Sequence, residues 1–349
     1  MTDDLLGLDG PRKRGGAPSG RVSMAMVAQR AGVSGQTVSR VVNGSPRVDP
    51  ATRARVEKAM VELGYRPHRA ARALRTGRSQ TLGIVATTLA TTGNSRMLQA
   101  TAEAAERRGY GLTVVTAASD VGDAFARLED QGVDGAVVLN EASALTRASD
   151  RPKGLRLVVV DAAPGSGFTV VGSDHAGGAA AATRHLLELG HPTVHHIAGP
   201  ADSFAAAERE RGWRQALRAA GVEVPSIVRG DWTAESGYSA GAALRNATAI
   251  FSANDQMALG LVRALEDQGR HVPEHANVIG FDDVPDAANF RPPLTTIRQD
   301  FAALAERAVE SLVAAIESGA HEDAAQAEPH LIATRLIERQ STHSARREH

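Results

Sequence analysis

The sequence predicts an α/β protein in which a small all-helical N-terminal domain precedes a larger body of alternating strands and helices. Three observations support this. Between residues 22 and 64, apolar residues recur at helical spacing and are bounded by helix-capping residues. From Thr81 onward, short β-branched runs alternate with longer helical segments, which is the order typical of a parallel sheet. Charge also divides the chain, because residues 21–78 hold twelve basic and three acidic residues while the whole chain has a net charge of −1.

The first two predicted helices are short and joined by a tight turn. Ser23 is expected to cap the first helix, which runs to about Arg30, and Ser34 is expected to cap the second. Gly32 lies between them, where a positive φ costs little. The apolar residues are spaced to pack the two helices on each other and on a third, and these are Val27, Ala28, Ala31, Val33, Val38 and Val41. The spacing predicts a helix-turn-helix, whose second helix enters the DNA major groove.

The outward face of the second helix, from about residue 35 to residue 42, carries the candidate DNA contacts. Its side chains are short polar or basic groups suited to base edges and phosphates, namely Gln36, Thr37, Ser39 and Arg40. A third helix is predicted from Pro50, behind the N-cap Asp49, to Gly64. The alternative interpretation is an ordinary helical hairpin with a polar outer face.

Composition narrows the class of protein. The net charge of +9 over residues 21–78 contrasts with −10 over residues 79–349, a distribution typical of a nucleic-acid-binding segment on an acidic body. There are no cysteines, which excludes disulfides, thiolate catalysis and cysteine-based zinc sites. No apolar run approaches a membrane span, and residues 1–20 read as a disordered arm without a signal peptide's apolar core. We therefore expect a cytoplasmic protein with no membrane contact.

The body is predicted to be two facing α/β units with a ligand cleft between them, beyond the carboxyl ends of the strands. A basic, alanine-rich segment precedes it and is too short to form a stable helix alone. A helix is predicted over 234–245 and a late strand over 330–334. The expected divisions are an arm (1–20), a helix-turn-helix domain (21–67), a hinge helix or linker (68–79), a core (80–340) with a first lobe (about 80–173 and 299–329) and a second lobe (about 174–298 and 330–340), and a tail (341–349).

Several motifs together resemble the lactose-repressor (LacI/GalR) family of bacterial transcription regulators. "VAQRAGVSGQTVSRVVN" looks like the family's DNA-binding domain and "ARALRTGRS" like its hinge. "GDWTAESG", "ANDQMALG", "IGFDDVPDA" and "PPLTTIRQDF" follow in the family's order, and several look closest to the lactose-repressor branch. The resemblance implies an allosteric repressor with a periplasmic-binding-protein-like core that binds a small effector and acts as a dimer. A leucine-heptad helix is missing at the end of the chain, so a homodimer is expected rather than a tetramer.

The resemblance also implies roles for individual residues. Gln36 and Arg40 match the base-reading pair, and Leu74 matches an apolar wedge that enters the minor groove. The residues expected to position the protein on phosphates are Ser23, Ser34, Thr37, Ser39, Asn43 and Tyr65, and Arg69 is a further candidate DNA contact. The family's effector contacts match Asp161, Arg209, Trp232, Asn254, Asp282 and Gln299. Thr87 is a further candidate, because it lies at the end of the first core strand and is expected to point at the cleft. This set of one guanidinium, carboxylates, amides and an aromatic ring suits a neutral polyol such as a sugar.

Two other interpretations, a metal site and a catalytic carboxylate pair, have less support in the sequence. His191, His195 and His196 suggest a metal site, but no carboxylate stands at ligand spacing to them. The adjacent Asp282 and Asp283 suggest a catalytic pair, but no nucleophile and base accompany them. We therefore expect no metal, no cofactor and no enzymatic activity.

Three functional hypotheses follow. The first is a dimeric repressor that binds a pseudo-palindromic DNA operator and is released by a sugar, a galactoside or related glycoside. The second is a transport-type sugar-binding protein, which the basic N-terminal domain disfavours. The third is a regulator of the same type that uses another effector, such as a different sugar or a purine or phosphosugar corepressor. The sign of the ligand's effect on DNA binding separates the first from the third.

Overall fold

The computed structural model divides the chain into two compact units, Met1–Gly77 and Arg78–His349. The predicted arm and most of the predicted hinge lie outside the described residues, and so do Asn43, Arg69 and Leu74. The residues that the structure describes are 22–42, 44–65, 77–117, 121–140, 154–163, 168–318 and 329–343.

The first unit contains the three helices that the sequence predicts, α1 (Met24–Ala31), α2 (Gly35–Val42) and α3 (Pro50–Leu63). They pack around a small core in which three valines are fully buried, one from each helix: Val27, Val38 and Val56. Because each helix is short, their stability depends on this shared apolar contact rather than on helix propensity alone.

Capping residues set the ends of these helices, as predicted. Ser23 Oγ accepts a hydrogen bond from the amide nitrogen three residues later at 3.4 Å, and Asp49 Oδ2 accepts the equivalent bond at 3.0 Å. Gly32 and Gly64 end α1 and α3 at φ values of +66° and +65°, where a side chain would be strained. These caps satisfy amide and carbonyl groups that the short helices leave unpaired.

The second unit begins with a lobe built on a parallel sheet. Its elements up to the first crossover are β1 (Thr81–Ala86), α4 (Thr92–Arg107), β2 (Gly111–Thr116), α5 (Val121–Asp130), β3 (Gly135–Leu139), β4 (Arg156–Val160) and β5 (Thr169–Ser173). The central strands are apolar along their whole length because helices cover both faces of the sheet.

A second lobe repeats this architecture. Its elements are α6 (His175–Glu188), β6 (His195–Ala198), α7 (Phe204–Ala219), β7 (Val228–Arg229), α8 (Ala234–Ala240), β8 (Ala249–Ser252), α9 (Asp255–Asp267), β9 (Asn277–Asp282), a 3₁₀ turn (Pro285–Asn289) and β10 (Thr295–Arg298). The alternation confirms the predicted doubled α/β core.

The chain then returns to the first lobe and crosses once more. Helix α10 (Phe301–Ser318) packs on the first sheet, as predicted, and is followed by β11 (His330–Ile332) and β12 (Arg335–Ile337). The strand order is β11-β5-β4-β3-β1-β2 in the first sheet and β12-β10-β9-β8-β6-β7 in the second. All pairings are parallel except that of β12 with β10, which is antiparallel.

The predicted late strand, assigned to the second lobe, is in fact two strands in different sheets. Residues 330–332 pair with β5 in the first sheet, and residues 335–337 pair with β10 in the second. Asp174, at the first crossover, donates from its amide to Ile332 O and accepts from Thr334 Oγ1 at its carbonyl. These bonds hold the chain where it leaves one sheet for the other.

Two further differences concern helix and strand assignment. Helix α8 ends at Ala240 rather than 245, with Gly241 as its C-cap, and the following residues form turns. Strand β5 was not predicted, since a five-residue apolar run cannot be assigned from its period alone.

The structure also places two domain boundaries differently from the sequence prediction. Arg78 and Ser79, predicted to belong to the hinge, are bonded to the core, with Ser79 N donating to Asp134 Oδ1 at 2.7 Å. Ser341, predicted to begin a tail, is fully buried, and its hydroxyl accepts from Thr295 N at 2.7 Å. Within the described residues, no helix is long and apolar enough to cross a membrane.

A buried histidine lies at the centre of the second sheet. His196 on β6 is fully buried, stacks on Phe251 with ring centroids 4.7 Å apart, and shares a 2.9 Å hydrogen bond between Nδ1 and Phe251 O. Burial lowers the pKa of His196 from 6.5 to about 4. The neutral ring therefore stabilises the fold above pH 6.5, and this contribution is lost as the pH falls toward 4.

We predict that replacing this histidine by glutamine removes part of the core's acid sensitivity. Between pH 7.5 and pH 5, His196 takes up a proton in the unfolded wild type but stays neutral in the folded protein. This difference lowers the free energy of unfolding by about 2 kcal/mol. Urea unfolding followed by tryptophan emission measures this, since both tryptophans lie in the core. The stability loss on acidification should be smaller by about that amount in His196→Gln, and an equal loss in both proteins would contradict the assignment.

Candidate functional site

The outer face of α2 is the first candidate site. Ser34 Oγ accepts from Thr37 N at 3.1 Å and lies 3.0 Å from Thr37 Oγ1, so the helix begins where the sequence predicts. Gln36 and Arg40 are exposed, while Ser39 is half-buried. The helix therefore presents a donor-rich face to solvent, the arrangement that a groove-reading helix requires.

Two predicted phosphate contacts have structural roles as well. The Ser23 hydroxyl caps α1, and the Tyr65 side chain packs in the core of the three-helix unit with 9% of its surface exposed. Three other candidates, Asn43, Arg69 and Leu74, lie outside the described residues, so their roles stay predictions.

The second candidate site is an open cleft between the lobes of the core. Six of the seven predicted effector contacts line it: Asp161, Arg209, Trp232, Asn254, Asp282 and Gln299. The seventh, Thr87, directly follows β1, is half-buried and is not among the described residues that line the cleft, so its role stays a prediction. The cleft lies where the carboxyl ends of parallel strands meet, as expected for such sheets.

Several lining residues were not identified from the sequence. They are Thr91, Thr92, Gly93, Met97, Asn140, His175 and Phe301. Three of them, Thr91, Thr92 and Gly93, form the cap and first turn of α4, and Met97 follows in its second turn. Asn140 directly follows β3, so its position at a strand end was the available signal.

Backbone strain is concentrated at the cleft. Asn140, Asp161, Trp232 and Asp282 all have positive φ, between +43° and +110°. Side chains other than glycine rarely adopt such angles, and their cost is tolerated where surrounding contacts determine the backbone. Each of these residues ends or follows a strand, so the backbone turns sharply there and its side chain lines the cleft.

Arg209 on α7 is the central cation of the cleft and is only 4% exposed. Its Nε donates to His175 Nδ1 at 3.3 Å, one terminal nitrogen donates to Ala253 O, and the other lies 3.4 Å from Asp282 Oδ1. A buried guanidinium needs such partners because its desolvation is otherwise unfavourable.

Two aromatic rings hold the same guanidinium. Its carbon lies 3.9 Å from the centroid of Phe281 and 5.4 Å from that of Trp232. The indole of Trp232 rests against Gly199, where any Cβ would lie 2.3 Å from the ring. Gly199 therefore permits the indole to reach the position it occupies in the cleft wall.

Asp282 and Asp161 are the acidic groups of the cleft. Asp282 Oδ1 also accepts from Gln299 Nε2 at 2.7 Å. Burial raises the pKa of Asp282, while the nearby Arg209 opposes that rise. Asp161 Oδ1 accepts from Ser173 N at 3.1 Å and lies 3.0 Å from His175 Nε2, although at an angle outside hydrogen-bond geometry.

Asn254 begins α9 and joins it to the cleft. Its Oδ1 accepts from Met257 N at 2.9 Å as the helix cap. Its Nδ2 donates to Trp232 O at 2.9 Å and to Gln256 Oε1 at 3.2 Å. These bonds hold the side-chain amide of Asn254 in one orientation.

No catalytic or metal centre is found among these groups. The described residues contain no cluster of three or more histidines and carboxylates able to hold a metal ion. His196 stacks in the core, and Asp283 is paired with two arginines, at 2.5 Å from Arg298 and 2.6 Å from Arg339. The groups that line the cleft are hydrogen-bond donors and acceptors with an indole beside them.

Two parts of the chain match known protein families. Residues 23–68 match a family model described as bacterial regulatory proteins, lacI family, and residues 183–342 match a periplasmic-binding-protein-like domain. The HTH-type transcriptional regulator CelR of Thermobifida fusca is 36% identical over 80% of this chain and 87% of its own length. The lactose operon repressor of Escherichia coli K12 is 35% identical over 84% of each chain.

Solved structures show the same relationship. A lac repressor dimer bound to operator and the anti-inducer ONPF matches 92% of this chain and 99% of that chain, at 31% identity and a TM-score of 0.80. A CelR–cellobiose complex matches 92% of this chain and 100% of that one, at 32% identity and a TM-score of 0.69.

A helix-turn-helix unit joined to a two-lobed binding core defines a ligand-responsive, DNA-binding transcription regulator, a class without enzymatic activity. The chain belongs to the lacI family of bacterial regulatory proteins.

The buried Arg209 predicts a specific pH dependence. Replacing it by methionine leaves Asp282 buried without its cation, so the core should lose about 3 kcal/mol at neutral pH. The pKa of Asp282 would rise further, and a raised carboxyl pKa means that stability falls as pH increases through the range between the unfolded and folded values. Thermal unfolding of Arg209→Met between pH 5 and pH 8 should show this fall.

The double variant Arg209→Met/Asp282→Asn is the matched control. Its amide stays neutral and keeps an acceptor for Gln299, so the added pH dependence should disappear. Persistence of that dependence in the double variant would show that another group causes it.

Proposed function

We propose that this chain is a repressor whose operator binding is relieved when a neutral glycoside occupies the core cleft. The observation that carries the proposal is the combination of carboxylate, amide and guanidinium groups with an indole in one cleft. Sugar hydroxyls accept from amides and guanidinium groups and donate to carboxylates, while an aromatic ring packs against the sugar's C–H face.

The balance of charge favours a neutral ligand. The described lining holds two carboxylates, Asp161 and Asp282, against one guanidinium, Arg209, which is already bonded to Asp282. An anionic ligand such as a phosphosugar would meet repulsion from the carboxylates and would have to compete for that guanidinium. A polyol can bond to these groups without such a penalty.

Relatives support a glycoside. CelR, at 32% identity, is solved in complex with cellobiose, a β-linked disaccharide, and the lac repressor is solved with ONPG in its repressed state. We propose a galactoside or a related glycoside as the effector. Relatives named PurR at about 32% identity make a purine corepressor the main alternative, which would strengthen DNA binding instead of weakening it.

On the DNA side, Gln36 and Arg40 are proposed to read base edges in the major groove. Phosphate contacts would set the register, and we assign them to Ser23, Ser34, Thr37, Ser39, Asn43, Tyr65 and Arg69. Leu74 is proposed as the minor-groove wedge. A homodimer would present two such units to a pseudo-palindromic operator in the cytoplasm.

Coupling between the two sites requires that the glycoside bind one conformation of the protein more tightly than the other. The test is fluorescence anisotropy on a labelled palindrome of roughly 20 base pairs at fixed salt, because phosphate contacts dominate affinity. Galactosides, glucosides including cellobiose, pentoses and purines form the panel. Release by one sugar class is expected, whereas binding unaffected by every sugar, or strengthened by a purine, would overturn the proposed effector.

The recognition helix has its own test. Arg40→Ala should weaken operator binding roughly tenfold to a hundredfold, the usual effect of losing a bidentate base contact. Arg55→Ala is the matched control, because Arg55 is an exposed arginine on α3 that donates to Thr52 Oγ1 at 3.3 Å. Equal losses in the two variants would indicate a general charge effect and contradict base reading by Arg40.

We propose that the homodimer uses an apolar patch on α8 and α9. Tyr238 and Leu259 remain 37% and 41% exposed there, although both are large hydrophobic side chains. The two helices pack closely through Gly237 and Gly260, where a Cβ would lie about 2 Å from backbone oxygens of the facing helix. A second copy of the chain is the proposed partner, as in the lac repressor dimer.

Leu259→Asp tests this interface. A carboxylate in place of the Leu259 side chain should be unfavourable where a dimer buries it and harmless where a monomer leaves it exposed. Sedimentation equilibrium should therefore show a shift toward monomer, with the thermal midpoint of a monomeric sample retained. The control is Arg245→Asp, at an exposed position outside the patch, and a dimer unaffected by Leu259→Asp would exclude this face.

A further inference from the structure

Two side-chain contacts join the lobes away from the crossover segments. Arg96 on α4, in the first lobe, donates from one terminal nitrogen to the carbonyl oxygens of Asp282 and Asp283 in the second lobe, each at 3.2 Å. Close by, Gln256 Nε2 donates to Thr92 Oγ1 at 2.6 Å. Both contacts involve the first turns of α4, the part of that helix that also lines the cleft.

Arg96 is held on its own side as well. Its guanidinium carbon lies 4.6 Å from the centroid of the Phe301 ring, and Phe301 is a cleft-lining residue of the first lobe. The guanidinium therefore lies between a ring that faces the ligand space and the backbone of a residue whose carboxylate faces the same space. Lysine could not reproduce this planar stacking together with two bonds.

The acceptors are equally constrained. Asp283 is held through its carboxylate by two arginines of the second lobe, and Val284 N donates to Asp255 Oδ2 at 2.8 Å. Asp282 and Asp283 both have positive φ, at +110° and +50°, so the end of β9 turns sharply and exposes its carbonyl oxygens toward α4. The bonds from Arg96 thus reach a rigid strand end and not a loose loop.

We infer that Arg96 is a latch, meaning a side chain that holds the two lobes together across the effector cleft. It is a positioning residue that holds α4 of the first lobe against the strand end carrying Asp282, and so presents both walls of the cleft at one separation. As far as effector binding is concerned, this inference rests on the proposed glycoside function. The contact between the lobes is independent of which ligand the cleft takes.

The consequence for a ligand is energetic. Without the latch, a ligand that contacts both walls would have to fix the separation of the two lobes when it binds. The entropic cost of that ordering would lower its affinity. With the latch in place, much of the ordering precedes binding. Arg96 is not among the described residues that line the cleft. Its replacement should therefore lower ligand affinity without removing a ligand contact.

The test compares Arg96→Gln with Arg107→Gln. Arg107 lies on the same helix, but its 2.6 Å ion pair with Glu306 stays within the first lobe. Amide hydrogen exchange of the unliganded proteins should be faster at residues 92–97 and 282–284 in Arg96→Gln and unchanged there in Arg107→Gln. Calorimetric titration with cellobiose and with lactose should show roughly tenfold weaker binding for Arg96→Gln of whichever sugar binds the wild type.

A third variant separates hydrogen bonding from packing. Arg96→Met keeps an apolar stem over Phe301 but has no donor, so it should resemble Arg96→Gln in both measurements. Affinity loss without a matching fall in thermal midpoint, relative to Arg107→Gln, distinguishes positioning from general destabilisation.

The outcomes are distinct. Unchanged exchange at both segments in Arg96→Gln overturns the latch whether or not a sugar binds. Faster exchange with unchanged sugar affinity overturns the positioning role. If neither sugar binds the wild type, the glycoside assignment loses its support, while faster exchange at both segments would still establish the latch.

Discussion

The buried guanidinium of Arg209 is the group on which the arrangement of the cleft depends. It is almost fully removed from water, and its bonds reach a backbone carbonyl, a histidine and a carboxylate that come from separate elements of the second lobe. Taking a cation and an anion out of water is costly, so both must be kept together once they are buried. The pair therefore orders Asp282, His175 and the indole of Trp232 before any ligand binds.

That arrangement is possible because parallel strands end at a common edge. Each strand that reaches the cleft continues into a residue with positive φ or into a helix cap, as at Asp161, Asp282 and Asn254. Polar side chains that are distant in sequence are thereby collected on opposite walls. The same geometry brings the carbonyl oxygens after β9 within reach of Arg96, so the cleft's ligand groups and the contact between the lobes share one strand end.

Much of the fold could be predicted from local signals in the sequence. Caps such as Ser34 and Asp49 act within three residues, so the helix starts of the first unit follow directly from sequence. The alternation of strands and helices likewise predicted the doubled α/β core. Four of the six cleft residues, Trp232, Asn254, Asp282 and Gln299, lie in motifs that resemble the family's, and Asp161 and Arg209 were matched to it by position. Thr91 and Met97 were not identified, because a helix turn that lines a cleft has no local signature different from any other helix start.

The sequence by itself determined the helix-turn-helix unit, the two α/β lobes and the polar character of the cleft, because caps, periodicity and charge distribution act over short separations. Only the tertiary structure decided which sheet receives each of the two late strands, that Ser341 belongs to the core, and that Arg96 reaches across to Asp282. These contacts join residues up to 187 positions apart, and no pattern along the chain specifies which distant backbone groups will be left to accept a bond.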